Sequence, residues 1–161
     1  MNIYTSVISE LLKSQDHLNA SYDCPSWATK SHPFCDYIWI EAGELMNHDG
    51  SVFHYRKQAC DIAQVKLELV DILHFGLSDL LMKKTSAESI VNSVLSAEGH
   101  AEYAPLLVQR YARNVAKAAL KGSFDVFWFT KWCNACGFTF DDIAESYFIK
   151  YTLNRFRIAN G

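Results

Sequence analysis

The chain has 161 residues, half of them hydrophobic and 20% charged, with a formal net charge of −3, a composition that builds a core and excludes a disordered chain. The 15 basic residues form no stripe of the kind that nucleic-acid binding needs, no apolar run approaches the ~20 residues of a membrane helix, and the N-terminus carries no basic flank ahead of an apolar stretch. Seven Gly and three Pro are roughly half the usual share, which argues against a turn-rich all-β fold, and five Cys, an odd number, do not read as a disulfide framework.

The expectation is an all-α, cytoplasmic protein folded as one domain over residues 1–161, with no nucleic-acid or membrane partner. In chain order, segment 2–20 sets Ile3, Val7, Leu11 and Leu18 close to helical spacing. A loop marked by Pro25 and Pro33 follows through 21–35. Helices are predicted at 36–48 and 61–82, joined by a connector at 49–60, and then at 86–97, 101–121, 124–135 and 139–157. Asp141 and Asp142 suit the start of the last helix, and Gly122 and Gly137 suit helix ends. The sum is a helical bundle.

The acids are placed unusually. In 36–48, Glu41 and Glu44 stand three apart in an otherwise apolar helix; in 61–82, Glu68 and Asp71 do the same. Around the second pair, Gln64, Glu68, Asp71, His74 and Ser78 recur at intervals of four, three, three and four, which is one stripe down a helix face. Ile62, Val65, Leu69, Ile72, Leu73, Leu77 and Leu80 cover most of the rest of that helix, so the stripe is expected to face inward. No Lys or Arg lies between Lys30 and Arg56 or between Lys66 and Lys83.

Four inward carboxylates without local bases call for a cation, and an all-oxygen donor set favours Mg2+ over zinc. A di-iron bundle, which needs two Glu-x-x-His motifs, fits less well, because Asp71-Ile-Leu-His74 offers one such spacing and no second exists. Gly43 and Gly76 sit beside the acidic pairs, where close helix approach or room for a ligand would explain them.

With its paired acids, the second read as ELVDILHFGLS, the chain resembles the all-α nucleoside triphosphate pyrophosphatases (the superfamily of the MazG-like enzymes), and within them the dimeric dUTPases. Gln15-Asp-His-Leu18-Asn19 followed by Trp27 is similar to that family's N-terminal element. Ile40-Glu41-Ala-Gly-Glu44-Leu45-Met46 resembles its first acidic stretch. Lys150-Tyr-Thr-Leu153-Asn154-Arg-Phe156-Arg157, with Asn160-Gly161, resembles its closing motif. The matches are collinear from residue 15 to 161, with little to match over 83–138.

The resemblance implies hydrolysis of a deoxynucleoside triphosphate, dUTP first, to the monophosphate and pyrophosphate by a homodimer. Glu41, Glu44, Glu68 and Asp71 would hold Mg2+, and Glu41 would also orient or deprotonate the attacking water. Gln15, Asn19, Trp27, Lys57, His74, Lys150, Asn154 and Arg157 would bind substrate. The tryptophan- and lysine-rich segment that shapes the family's base pocket is replaced here by Ser51-Val-Phe53-His-Tyr55-Arg56-Lys57, which leaves dCTP, dGTP or a broader dNTP range as alternative substrates. From another class, the alternative is a helical metal-binding protein without turnover.

Two features stand apart. Cys133-Asn-Ala-Cys136 lacks further zinc ligands and a βαβ context, so it is read as core. The aromatic group Phe124, Phe127, Trp128, Phe129 and Trp132 is read as core or subunit interface.

Overall fold

The computed structural model describes residues 3–22, 26–50 and 59–160. Seven helices follow in order: α1 (Ile3–Tyr22), α2 (Phe34–Asp49), α3 (Ile62–Met82), α4 (Ala87–Ala97), α5 (Pro105–Leu120), α6 (Val126–Ala135) and α7 (Phe140–Asn160). A single 3-10 turn, Trp27–Thr29, precedes α2. No strand occurs among the described residues, only an isolated bridge between Tyr103 and Cys136. The expected all-α bundle is what forms.

α3 is buried on most sides, as its apolar circumference requires: it packs against α2, α1 and α7, while α5 and α6 pair with one another and close the far side of α2 and α4. Asp61 N donates to the His48 carbonyl at 3.0 Å, so α3 starts where α2 ends and the two run antiparallel. One continuous apolar core draws on all seven helices, with Ile8, Ile38, Leu69, Val94, Val115, Phe129 and Ile143 essentially inaccessible.

Helix starts are set by side chains that satisfy the orphan amides. Asp61 accepts from Gln64 N, Ser86 from Ser89 N and Asp125 from Trp128 N. For α7 the cap is reciprocal: Thr139 Oγ1 accepts from Asp142 N at 3.1 Å and Asp142 Oδ2 accepts from Thr139 N at 2.8 Å, a capping box with Asp as the returning residue. The expected helix over 101–121 starts only at Pro105. Residues 102–104 instead bond in extended form to the end of α6, through Glu102 N to Asn134 O and Ala104 N to Ala135 O, and proline then opens α5 where no amide donor is needed. The expected ends at Gly122 and Gly137 hold, with φ of +76° and +89°.

The cysteine motif sits at the end of α6, with Cys133 and Cys136 both buried in the core, and burial pushes both thiols above their ordinary range. Phe124, Phe129 and Trp132 are core; Phe127 and Trp128 are half-buried at its edge.

The two glycines beside the acids differ. A Cβ on Gly76 would lie 2.5 Å from the Phe124 ring, which is itself buried, whereas a Cβ on Gly43 would meet nothing within 4 Å. Gly76→Ala is therefore expected to destabilise the fold by about 1–3 kcal/mol through overpacking, read from the urea midpoint. Gly43→Ala is expected to be neutral or to stabilise by up to about 1 kcal/mol through helix propensity. Equal effects of the two would contradict this packing.

Candidate active site

The antiparallel pairing of α2 and α3 brings Glu41 and Glu44 level with Glu68. Oxygen atoms from these three carboxylates lie within 4.8 Å of one another. Glu68 is buried, Glu41 half-buried and Glu44 exposed, so the cluster opens to solvent on one side. His48, one turn beyond Glu44 on α2, places Nε2 3.5 Å from Glu68 Oε1. Its position continues the spacing of Glu41 and Glu44 by three and then four residues, which is where the sequence could have pointed to it.

Burial first, and then the charges of Asp71 and Glu44, push the Glu41 carboxyl up to about 7. Burial likewise raises Glu68, partly offset by the hydrogen bond that Glu41 makes to it. Glu41 thus tends to hold a proton shared with Glu68. Three converging carboxylates, all oxygen donors, one of them forced toward the neutral acid, fit a hard divalent cation.

Asp71 stands apart from this cluster. It lies one helical turn along α3 and both its oxygens are taken by the Lys150 ammonium from α7. The expected set of four metal carboxylates is therefore three that converge and a fourth in an ion pair, although Asp71 is near enough to repel both Glu41 and Glu68.

Asp71 also lines a cavity of about 350 Å³, within the range of small-ligand sites. Trp27, Phe34, Phe75 and Leu18 form its apolar walls; Gln15, Asn19 and Ser78 form a polar end; His74 and Asn154 lie toward Asp71. Gln15 is the hub. Its amide donates to Asn19 Oδ1 at 2.8 Å and Ser78 Oγ at 3.1 Å, and its Oε1 accepts from Tyr147 OH at 2.9 Å and faces His74 Nδ1 at 2.8 Å. Asn19 Nδ2 also donates to Ser78 Oγ, at 2.9 Å. Trp27 is buried and anchored by its Nε1–H to Asp16 Oδ1 at 2.8 Å.

His74 is buried among these groups, with the Tyr147 ring centred 4.2 Å away and tilted by 32°. Burial, then the nearby Lys150 charge, hold its pKa near 3, so the imidazole is neutral. With Gln15 Oε1 as acceptor, the proton sits on Nδ1. Nε2 is then a buried acceptor with no partner among the described residues.

Of the expected substrate residues, Gln15, Asn19, Trp27, His74 and Asn154 come together at the cavity and Lys150 at its rim on Asp71. Arg157 is exposed one turn past Asn154. Lys57, with the rest of the 51–58 segment, lies outside the described residues. Ser78, Phe34, Phe75 and Tyr147 join the site without having been singled out for it. Ser78 ended the α3 stripe, and Tyr147 lies one turn before Lys150 on α7.

A stability profile follows from Glu41. Its folded pKa of about 7 exceeds the ordinary 4.5, so the folded chain keeps a proton that the unfolded chain has released. In EDTA the contribution of Glu41 to stability is expected to be complete below that lower value and to be lost as pH rises through 7. Melting temperature should accordingly fall between pH 5.5 and 8, and Mg2+ should raise it more at pH 8. Glu41→Gln should flatten that difference; a wild-type profile equally flat would contradict the crowding of these acids.

A family model described as dUTPase matches residues 7–161 of the chain. No curated protein matches it.

Proposed function

The chain belongs to the dUTPase family and is a nucleoside triphosphate pyrophosphohydrolase, and from that premise we propose that it hydrolyses dUTP to dUMP and pyrophosphate with Mg2+ held by Glu41, Glu44 and Glu68, joined by Asp71. The observation that carries this reading is a junction: Asp71 belongs both to the neighbourhood of the carboxylate cluster and to the wall of the aromatic, amide-lined cavity. A nucleoside in the cavity would send its phosphates past Asp71 to the cluster.

The residues divide the work. Gln15, Asn19 and Ser78 offer amide and hydroxyl groups at the far end of the cavity, where a base edge would lie, with Trp27, Phe34 and Phe75 enclosing its faces. The neutral His74 contributes an acceptor for an N–H or O–H of the nucleoside. Lys150, Asn154 and Arg157, with Lys57, supply phosphate donors. Mg2+ in the carboxylate cluster supplies neutralisation of the phosphoryl oxygens and a more acidic water. Glu41, whose carboxyl is pushed up to about 7, receives the proton from the attacking water.

The protein is further proposed to act in the cytoplasm as a homodimer. No helix of the described residues is long and apolar enough to cross a membrane. Large apolar side chains stand exposed on α5 and α7, Leu106 at 81% and Phe156 at 65%, along with Trp39 and Ile40 on α2, and a second copy would cover them.

The test is pyrophosphate release from dUTP, dCTP, dTTP, dATP and dGTP, each with Mg2+ and with EDTA. Release that needs Mg2+ and is fastest with dUTP is expected. Preference for another base would reassign the cavity but keep the acids in their roles, and no release from any of the five would refute the hydrolase reading. Glu41→Gln should lower kcat by about 10²–10⁴-fold while the chain stays folded. Gln15→Leu should act mainly on KM for dUTP. Light scattering should return twice the mass of one chain.

A further inference from the structure

The Lys150 ammonium occupies the carboxylate oxygens of Asp71 that a divalent cation would otherwise use. The ammonium engages both oxygens of Asp71, which lines the cavity and stands near the carboxylate cluster, and both side chains are one-quarter exposed. Glu41 and Glu68 also stand near Asp71, and a carboxyl group offers it no positive charge, so of these neighbours Lys150 is the one that neutralises it. Lysine is a point charge on a flexible stem, and Asn154, one turn further along α7, lines the cavity that Asp71 lines. Polyanionic phosphates entering between cavity and cluster would therefore pass the ammonium.

Resting on the hydrolase reading above, we infer that Lys150 is an exchangeable counter-cation: it holds Asp71 in reserve until triphosphate draws the ammonium away, so that Asp71 becomes a metal ligand only when nucleotide is bound. No covalent step is involved; one ion pair, Lys150–Asp71, is traded for two contacts, Lys150 to phosphate and Asp71 to cation. Coupling of this kind is reciprocal: nucleotide strengthens cation binding at Asp71 by the factor that the cation strengthens nucleotide binding. The triphosphate itself also chelates cations, so the separating variant is one that removes the ammonium and leaves Asp71.

The experiment counts bound Mn2+ by electron paramagnetic resonance on the full chain, with and without α,β-imido-dUTP. In the wild type the analogue should add one bound ion, or tighten its binding by about fivefold or more. In Lys150→Met that ion should bind without the analogue, and Lys150→Gln, which keeps a polar tip, should behave alike. Asp71→Asn should lack the ion in the absence of nucleotide, alone or combined with Lys150→Met. Thermal melts establish that each variant is folded. If both Lys150 variants titrate as the wild type does, while the wild type still releases pyrophosphate with Mg2+, this inference falls and the hydrolase reading stands. If the wild type binds no Mn2+ under either condition, both fall.

Discussion

Mutual repulsion among carboxylates is the constraint around which this protein is arranged. Glu41, Glu44 and Glu68 converge between α2 and α3, with Asp71 one turn away, and no Lys or Arg lies between Lys30 and Arg56 or between Lys66 and Lys83. Bare like charges at that spacing oppose the very helix pairing that forms the core. The chain relieves them with three separate devices: a proton held on Glu41, His48 against Glu68, and Lys150 across from α7 on Asp71. A divalent cation bound there would relieve the same repulsion, which links its cost in folding to the proposed chemistry.

α3 works as a ruler for that chemistry. Glu68, Asp71, His74 and Ser78 follow one another along a single face over about 15 Å of helix, moving from carboxylate cluster through a neutral imidazole to an amide and hydroxyl end. The helix can serve this way because its other faces are apolar and fixed by α1, α2 and α7. Gly76 allows the Phe124 ring against its backbone. Gln15 then fixes the chemical identity of the neighbours: by presenting its carbonyl to His74 and its amide to Ser78 and Asn19, it leaves the imidazole an acceptor at Nε2.

Two features that the sequence did not show share a cause. Residues 101–104 have no helix-breaking glycine, yet they run extended because α6 offers carbonyls at its end and Pro105 supplies a helix start. Asp71 matches Glu68 in spacing and in apolar surroundings, yet it pairs with a lysine 79 positions later. In both cases the partner lies far along the chain, and no local periodicity reports it.

What the sequence determined by itself was whatever depends on intervals along one helix: seven helices, the apolar circumference of α3, the acids at three-residue spacing, the amides of Gln15 and Asn19 on one face. Those follow from 3.6 residues per turn and the cost of burying charge. Only the tertiary structure decided which of these faces meet. The antiparallel turn of α2 onto α3 makes three acids a cluster, the crossing of α7 gives the fourth a counter-charge, and α1 with the Trp27 turn closes a cavity beside them. Such contacts depend on how whole helices pack, and packing is set by the summed fit of many side chains rather than by any interval that can be counted in the sequence.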